Sequence, residues 1–300
     1  MFPMIRRSLV VAGFLALLAL PSTAAARATV GIGEQKASMF ADPRFQALDI
    51  KIVRANVRWD VMSNPRLLGE LDAWMAGAKA AGIRPLLTFD RGWKQSTYNP
   101  TPKQLVKAMT DIRKRYPEAR EFSTWNEANI NKRPEIVARW WRALSKSCPQ
   151  CTVLGVDLLD WPGINAWAKR FIKAAGRPPR VWGLHNYVGM NRMSTRSTLA
   201  LMKAVPGRIW LTETGGIISR NNGSKITLPT GVPHAAEVTK FILGPMLKAG
   251  GRRIERVYLY NWATGPVVTS WDSAFIGPDD KARPALDALA AYQGKTLPPE

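Results

Sequence analysis

Two acidic side chains each close a short apolar run in this 300-residue chain. The first is Glu127, in Trp125-Asn126-Glu127 after Phe122-Ser123-Thr124. The second is Glu213, in Thr212-Glu213-Thr214-Gly215 after Ile209-Trp210-Leu211. Each run reads as a buried strand, so each carboxylate stands at a strand mouth. A pair of carboxyl groups facing one cleft suits acid/base cleavage of a sugar linkage. One protonates the leaving oxygen while the other attacks the ring carbon or activates water. Glu127, as general acid and then base, must hold a proton, which a partly desolvated position beside Trp125 favours. Glu213, as nucleophile, must stay ionised.

Eight apolar runs must position these residues. They begin near Thr29, Ile52, Pro85, Glu121, Thr152, Val181, Arg208 and Arg256, with helical patterns between them. Strand-helix alternation implies βαβ units and a parallel sheet, and eight units in this length imply one closed (β/α)8 TIM barrel, an α/β fold. Asn64-Pro65 caps one helix, with Leu68, Leu71, Met75 and Ala78 on a face and Gly82 at its end. Thr101-Pro102-Lys103-Gln104 reads as a capping box. Trp140 and Trp141 fall at core spacing on a third helix. The competing fold, an open doubly wound sheet, needs a phosphate turn that Val30-Gly31-Ile32-Gly33-Glu34 does not supply, lacking a third glycine.

Activity in a barrel sits at the C-terminal ends of its strands. There Trp125-Asn126-Glu127 on the fourth strand and Thr212-Glu213-Thr214-Gly215 on the seventh resemble the retaining glycoside hydrolases of clan A, family 39-like or family 5-like. The likeness covers nearly the whole mature chain in strand order and is confined to the strand ends in residues. It implies that Arg54, in Arg54-Ala55-Asn56-Val57-Arg58-Trp59, keeps the nucleophile ionised. It also implies that Tyr187, in His185-Asn186-Tyr187, hydrogen-bonds that nucleophile. Asn126 would hold the sugar 2-hydroxyl, and Trp262 on the eighth strand would floor the first sugar subsite. Arg54, Asn126, His185, Tyr187 and Trp262 are thus the expected substrate-side residues, and the chemistry calls for no metal or cofactor. One departure is Ala128, where many relatives have proline. Asp90, Arg91 and Trp93 are read as subsite or loop residues, and the loop from Ser219 to Pro233 as a lid or subsite wall. His234 reads as a helix-end or surface residue, and nothing decides a role for Asp272.

The chain opens with Arg6-Arg7, an apolar run from Leu9 to Leu20, and Ala24-Ala25-Ala26. That is a secretory signal layout over residues 1–26, too short for a membrane span, leaving 27–300 as the catalytic domain of a secreted or envelope-bound monomer. Cys148 and Cys151 are then expected to form a local disulfide. The formal charge of +21 is spread along the chain. It makes an anionic cell-envelope polymer a candidate partner beside the carbohydrate substrate, while nucleic-acid motifs are missing. Two other functions fit a sugar-facing barrel: a non-catalytic carbohydrate- or wall-binding protein, and a hydrolase of an α-linked arabinan.

Overall fold

A computed structural model describes residues 28–299, apart from 222, 224–225 and 266–269. The expected signal segment lies outside the described residues. The strands are β1 (Thr29–Gly33), β2 (Ile52–Arg58), β3 (Arg84–Asp90), β4 (Glu121–Ser123), β5 (Thr152–Leu154), β6 (Asp157–Leu159), β7 (Val181–His185), β8 (Arg208–Thr214), β9 (Ser219–Arg220), β10 (Ile254–Tyr260) and β11 (Trp271–Asp272). Nine of them form a parallel sheet in the order β5-β4-β3-β2-β1-β10-β8-β7-β6. This is a closed barrel of eight positions, because β5 and β6 are two halves of one strand interrupted at Gly155-Val156. Backbone bonds carry the pairing through the gap: Gly155 N–H to the Val181 carbonyl at 2.9 Å, and Gly183 N–H to that of Val156 at 3.0 Å. Both expected strand order and expected fold hold.

Among the described residues ten α-helices wrap the sheet: α1 (Pro43–Ala47), α2 (Pro65–Ala80), α3 (Pro102–Arg115), α4 (Pro134–Ser147), α5 (Ile164–Ala175), α6 (Tyr187–Asn191), α7 (Arg196–Ala204), α8 (Val232–Phe241), α9 (Leu247–Gly250) and α10 (Pro284–Gln293). Local chemistry fixes their ends. The Asn64 side chain accepts from Leu67 N–H at the start of α2, and Gly82, at φ +64°, closes it. Thr101 and Gln104 form the reciprocal capping box of α3. Trp140 and Trp141 are buried between α4 and the barrel wall.

The core of the described residues has two main parts and a smaller cluster about Tyr187. One lies between helices and sheet. The other fills the barrel interior with Ile52, Leu86, Leu154, Val181, Trp210 and Tyr258. Above that apolar floor, toward the strand C-termini, the interior turns polar. The described part of the Ser219–Pro233 loop is anchored to the barrel at both of its described contacts. Its first residues pair as β9 with β11, and Leu228 packs with Ile217 against Tyr187. Cys148 and Cys151 are joined by a disulfide between α4 and β5.

Candidate active site

Strand geometry alone would not aim both glutamates into the mouth. Side chains alternate along a strand, so with Trp210 inside the barrel, Glu213 would face out. The β7–β8 register corrects this. Gly183 pairs with Trp210 and His185 with Glu213, so β8 carries one extra residue and its parity resets. Glu127 arrives differently. Trp125 leaves the barrel axis to pack on Trp140, with ring centroids 4.7 Å apart. Glu127 then takes a left-handed backbone, φ +43° and ψ +42°, which costs a non-glycine residue about 1–3 kcal/mol. Neighbours impose it. Asn126 N–H donates to the Phe89 carbonyl at 2.8 Å, and the Asn129 amide exchanges two 2.8 Å bonds with the Leu159 backbone.

The two carboxylates converge on one ring. His185 Nδ1 lies 3.0 Å from Glu127 Oε1 and 3.9 Å from Glu213 Oε2, so those oxygens are separated by at most the sum of these lengths. Glu213 is the deeper, 13% exposed against 27% for Glu127. Its oxygens have separate partners: Arg54 Nη1 donates to Oε2 at 2.9 Å and the Tyr187 hydroxyl to Oε1 at 3.1 Å. Arg54 also donates to Asn126 Oδ1 and Asn56 Oδ1, each at 2.9 Å, and to Thr88 at 3.1 Å. With its oxygen so engaged, the Asn126 amide NH2 has no protein partner among the described residues.

Beneath this pair sits Asp157, fully buried at the start of β6. It accepts from Arg54 at 2.9 Å, Ser123 at 2.7 Å and Thr88 at 3.0 Å, and His185 Nε2 is 3.6 Å away. Gly183 makes the room: a Cβ there would lie 1.9 Å from Asp157 Oδ1. Burial alone would raise the Asp157 carboxyl, but the Arg54 charge and the donors around it hold it well below the usual carboxylate range. Burial likewise opposes a charge on His185, yet Glu213, Asp157 and Glu127 together push it up to about 9. Burial and the neighbouring Glu213 push the Tyr187 phenol well above its ordinary value, so it remains a donor.

Of the residues anticipated from sequence, Glu127, Glu213, Arg54, Asn126, His185 and Tyr187 share this one network. Arg54 and His185 are buried beneath it, and their bonds go to the carboxylates and to Asp157. Trp262 is a correction. It is 1% exposed, packs edge-on to Phe45 and donates its indole N–H to Asp42 at 3.0 Å, so it closes the core under α1 and cannot floor a sugar. A partly exposed aromatic is instead Trp271, whose ring lies 4.9 Å from that of Tyr187, the donor to Glu213. Asp272 is buried in an ion pair with Arg283. Sequence reasoning misses Asp157, although a charge inside the run Val153–Leu159 is a visible signal.

No family model matches the sequence, and no curated protein does. Solved structures do. A pair of fungal β-1,4-galactanases supplies a match at 14% identity and TM-score 0.67, covering 88% of this chain and 99% of that one. A family 39 glycoside hydrolase from Bacteroides cellulosilyticus WH2 matches at 12% identity and TM-score 0.59, over 89% of this chain. This chain spans only 64% of that enzyme's length. Xylanase 10B from Thermotoga maritima matches at 13% identity and TM-score 0.60, over 88% and 94%. At such identities the likeness is one of architecture: the chain has the (β/α)8 barrel on which these glycoside hydrolases are built.

Proposed function

We propose that this protein is a secreted retaining glycoside hydrolase that cuts a β-linked oligo- or polysaccharide by double displacement. The observation that carries the reading is the convergence of Glu127 and Glu213 on His185 Nδ1, with Arg54 and Tyr187 donating to Glu213. Retaining enzymes hold their carboxyl groups about 5–5.5 Å apart and inverting ones about 6.5–9.5 Å. The limit that the two His185 distances set on the nearer carboxylate oxygens accommodates the first range, which supports the retaining reading.

Glu213, held by Arg54 and Tyr187, attacks the anomeric carbon, and Glu127 protonates the departing oxygen. Glu127 then takes a proton from the water that opens the glycosyl–Glu213 ester. Asn126 offers its free amide hydrogens to the 2-hydroxyl, a bond that strengthens as the ring flattens toward the oxocarbenium ion. Trp271, at the edge of the mouth, supports a pyranose face. The β-linkage and the polysaccharide class are taken from the galactanase and xylanase that share the barrel.

The test is digestion of a glycan panel followed by azide rescue. Wild type is expected to release product from a β-glycan. Glu213→Ala should abolish release, and azide should restore it as a glycosyl azide. Wild-type turnover by Glu213→Ala refutes the assignment. Binding without turnover that Glu127→Gln does not alter refutes the enzyme reading altogether.

A further inference from the structure

A large concavity lies at the opposite end of the barrel from the two glutamates. It is a groove of about 1190 Å³ at the strand N-termini, formed where β3, β7, β8 and β10 begin. That volume exceeds the roughly 300–1,000 Å³ of ordinary small-ligand pockets and suits a chain. Six arginines line it, Arg84, Arg177, Arg180, Arg208, Arg252 and Arg256, against one acid, Glu255. No lysine lines it, although the chain has both cations in quantity.

Three of the six are already engaged. Arg208 is paired to Glu255 at 2.6 Å. Arg256 is bound to Glu121 and lies over the Trp210 ring at 3.7 Å. Arg177 lies over Trp141 at 4.8 Å. Arg84, Arg180 and Arg252 are exposed and have no side-chain hydrogen bond or ion pair among the described residues. Their planar forks match carboxylates and phosphates bidentately, which an ammonium does not. Hydroxyls of Thr29, Ser145 and Thr152 stand among them.

We infer that this groove binds an anionic polysaccharide and holds the enzyme on it while the opposite face cuts. The absence of apolar anchors sets this partner apart from a lipid surface and from a single-stranded nucleic acid. Exposed large apolar side chains of the described residues are Trp93, Tyr98, Ile130, Trp161 and Met193, none of which lines the groove. Its own indoles, Trp141 and Trp210, are buried and covered by arginines. A lipid surface takes up inserted apolar groups, and single-stranded nucleic acid takes exposed rings for stacking; the groove offers neither. The choice of a glycan rests on the hydrolase reading above; the anion site does not.

The test compares full-length wild type with Arg84→Glu/Arg180→Glu/Arg252→Glu in affinity electrophoresis through polygalacturonate and through neutral galactan. Co-sedimentation with phosphatidylglycerol vesicles and binding to a DNA duplex run in parallel, each at low and high salt. Wild type is expected to be retarded by polygalacturonate, less so at high salt, and by galactan no more than the triple variant is. The triple variant should bind roughly ten-fold more weakly or worse, at about the cost of three lost surface charge contacts, with unchanged turnover of a neutral glycan. Should the triple variant not fold, three single Arg→Gln variants, each weakening binding, support the inference equally. Undiminished binding by the variants overturns the inference, as does a wild-type preference for vesicles or DNA. A chain that binds polyuronate through these arginines but cuts no glycan keeps the groove and loses the hydrolase. A chain that cuts but binds no polyuronate loses the groove alone.

Discussion

Asp157→Asn separates a catalytic network held by a buried charge from one held by shape alone. The substitution keeps volume and removes the negative charge that faces Arg54 at 2.9 Å and His185 at 3.6 Å. Both Arg54 and Asp157 have fully buried side chains, so water cannot replace what is lost. Removing one member of such a pair costs about 3–5 kcal/mol, because the other charge is left in the interior. The new amide N–H2 also opposes donors from Ser123, Thr88 and Arg54, adding about 1 kcal/mol for each hydroxyl left unpaired. In a domain of this size 1 kcal/mol is worth about 2–4 °C, so thermal unfolding should drop by about 10 °C or more. Arg54 then has only Glu213 as a full counter-charge, and His185 loses one of the anions that push it to about 9. Protonated His185 donates to Glu127 at 3.0 Å and orients that acid, so the alkaline limb of kcat that follows loss of this donor should move down from about 9 toward the ordinary imidazole value of about 6.5. Calorimetry and a pH–rate profile on the same variant read both effects. A melting point within about 2 °C of wild type, with the alkaline limb unmoved, refutes the argument.

His185 in the fold titrates at about 9, above its unfolded value near 6.5, so the native state holds the proton more tightly. Its contribution to stability is whole below about pH 6.5 and is lost as pH rises through about 9; His185→Gln should flatten the melting profile over that window. Trp271→Ala should raise KM about ten-fold with a small loss of stability, whereas Trp262→Ala should cost about 3–5 kcal/mol by opening the core under α1. Kinetics and denaturant unfolding on the pair distinguish the aromatic at the mouth from the one in the core, and equal KM effects would contradict the correction. The disulfide spans a sequence separation of 3, so its loop-closure contribution is small, about 2 kcal/mol. Cys148→Ser/Cys151→Ser should melt somewhat earlier and keep full activity, since the bridge is at the strand N-termini.

Sequence carries the barrel and the carboxylate pair for a physical reason. Short apolar runs alternating with capped helices specify βαβ units, and charges at the ends of apolar runs stay visible in any single chain. It loses information where the backbone departs from ideal alternation. Glu213 reaches the mouth through an extra residue in β8, and Glu127 through a left-handed turn. Neither device has a residue signature, so the pattern alone turns at least Glu213 outward. The same gap misplaces Trp262. A tryptophan just beyond β10 can face either the mouth or the helical layer, and here it faces Phe45 and Asp42. Asp157 is legible by the logic applied to Arg54, that a charge within an apolar run demands a partner. Those two charges stand 103 residues apart and meet only because β2 and β6 line the same interior layer. Each of the two would be intolerable without the other, so the polar layer behaves as a unit. Arg54, Asp157 and His185 set the electrostatics that Glu127 and Glu213 use, and Gly183 is glycine because the layer must close over Asp157. Gly183→Ala, which introduces a single methyl in the layer beneath the two glutamates, should therefore impair catalysis as well as folding. An alanine variant with wild-type kcat would show that the layer is packing, and that the two glutamates act without it.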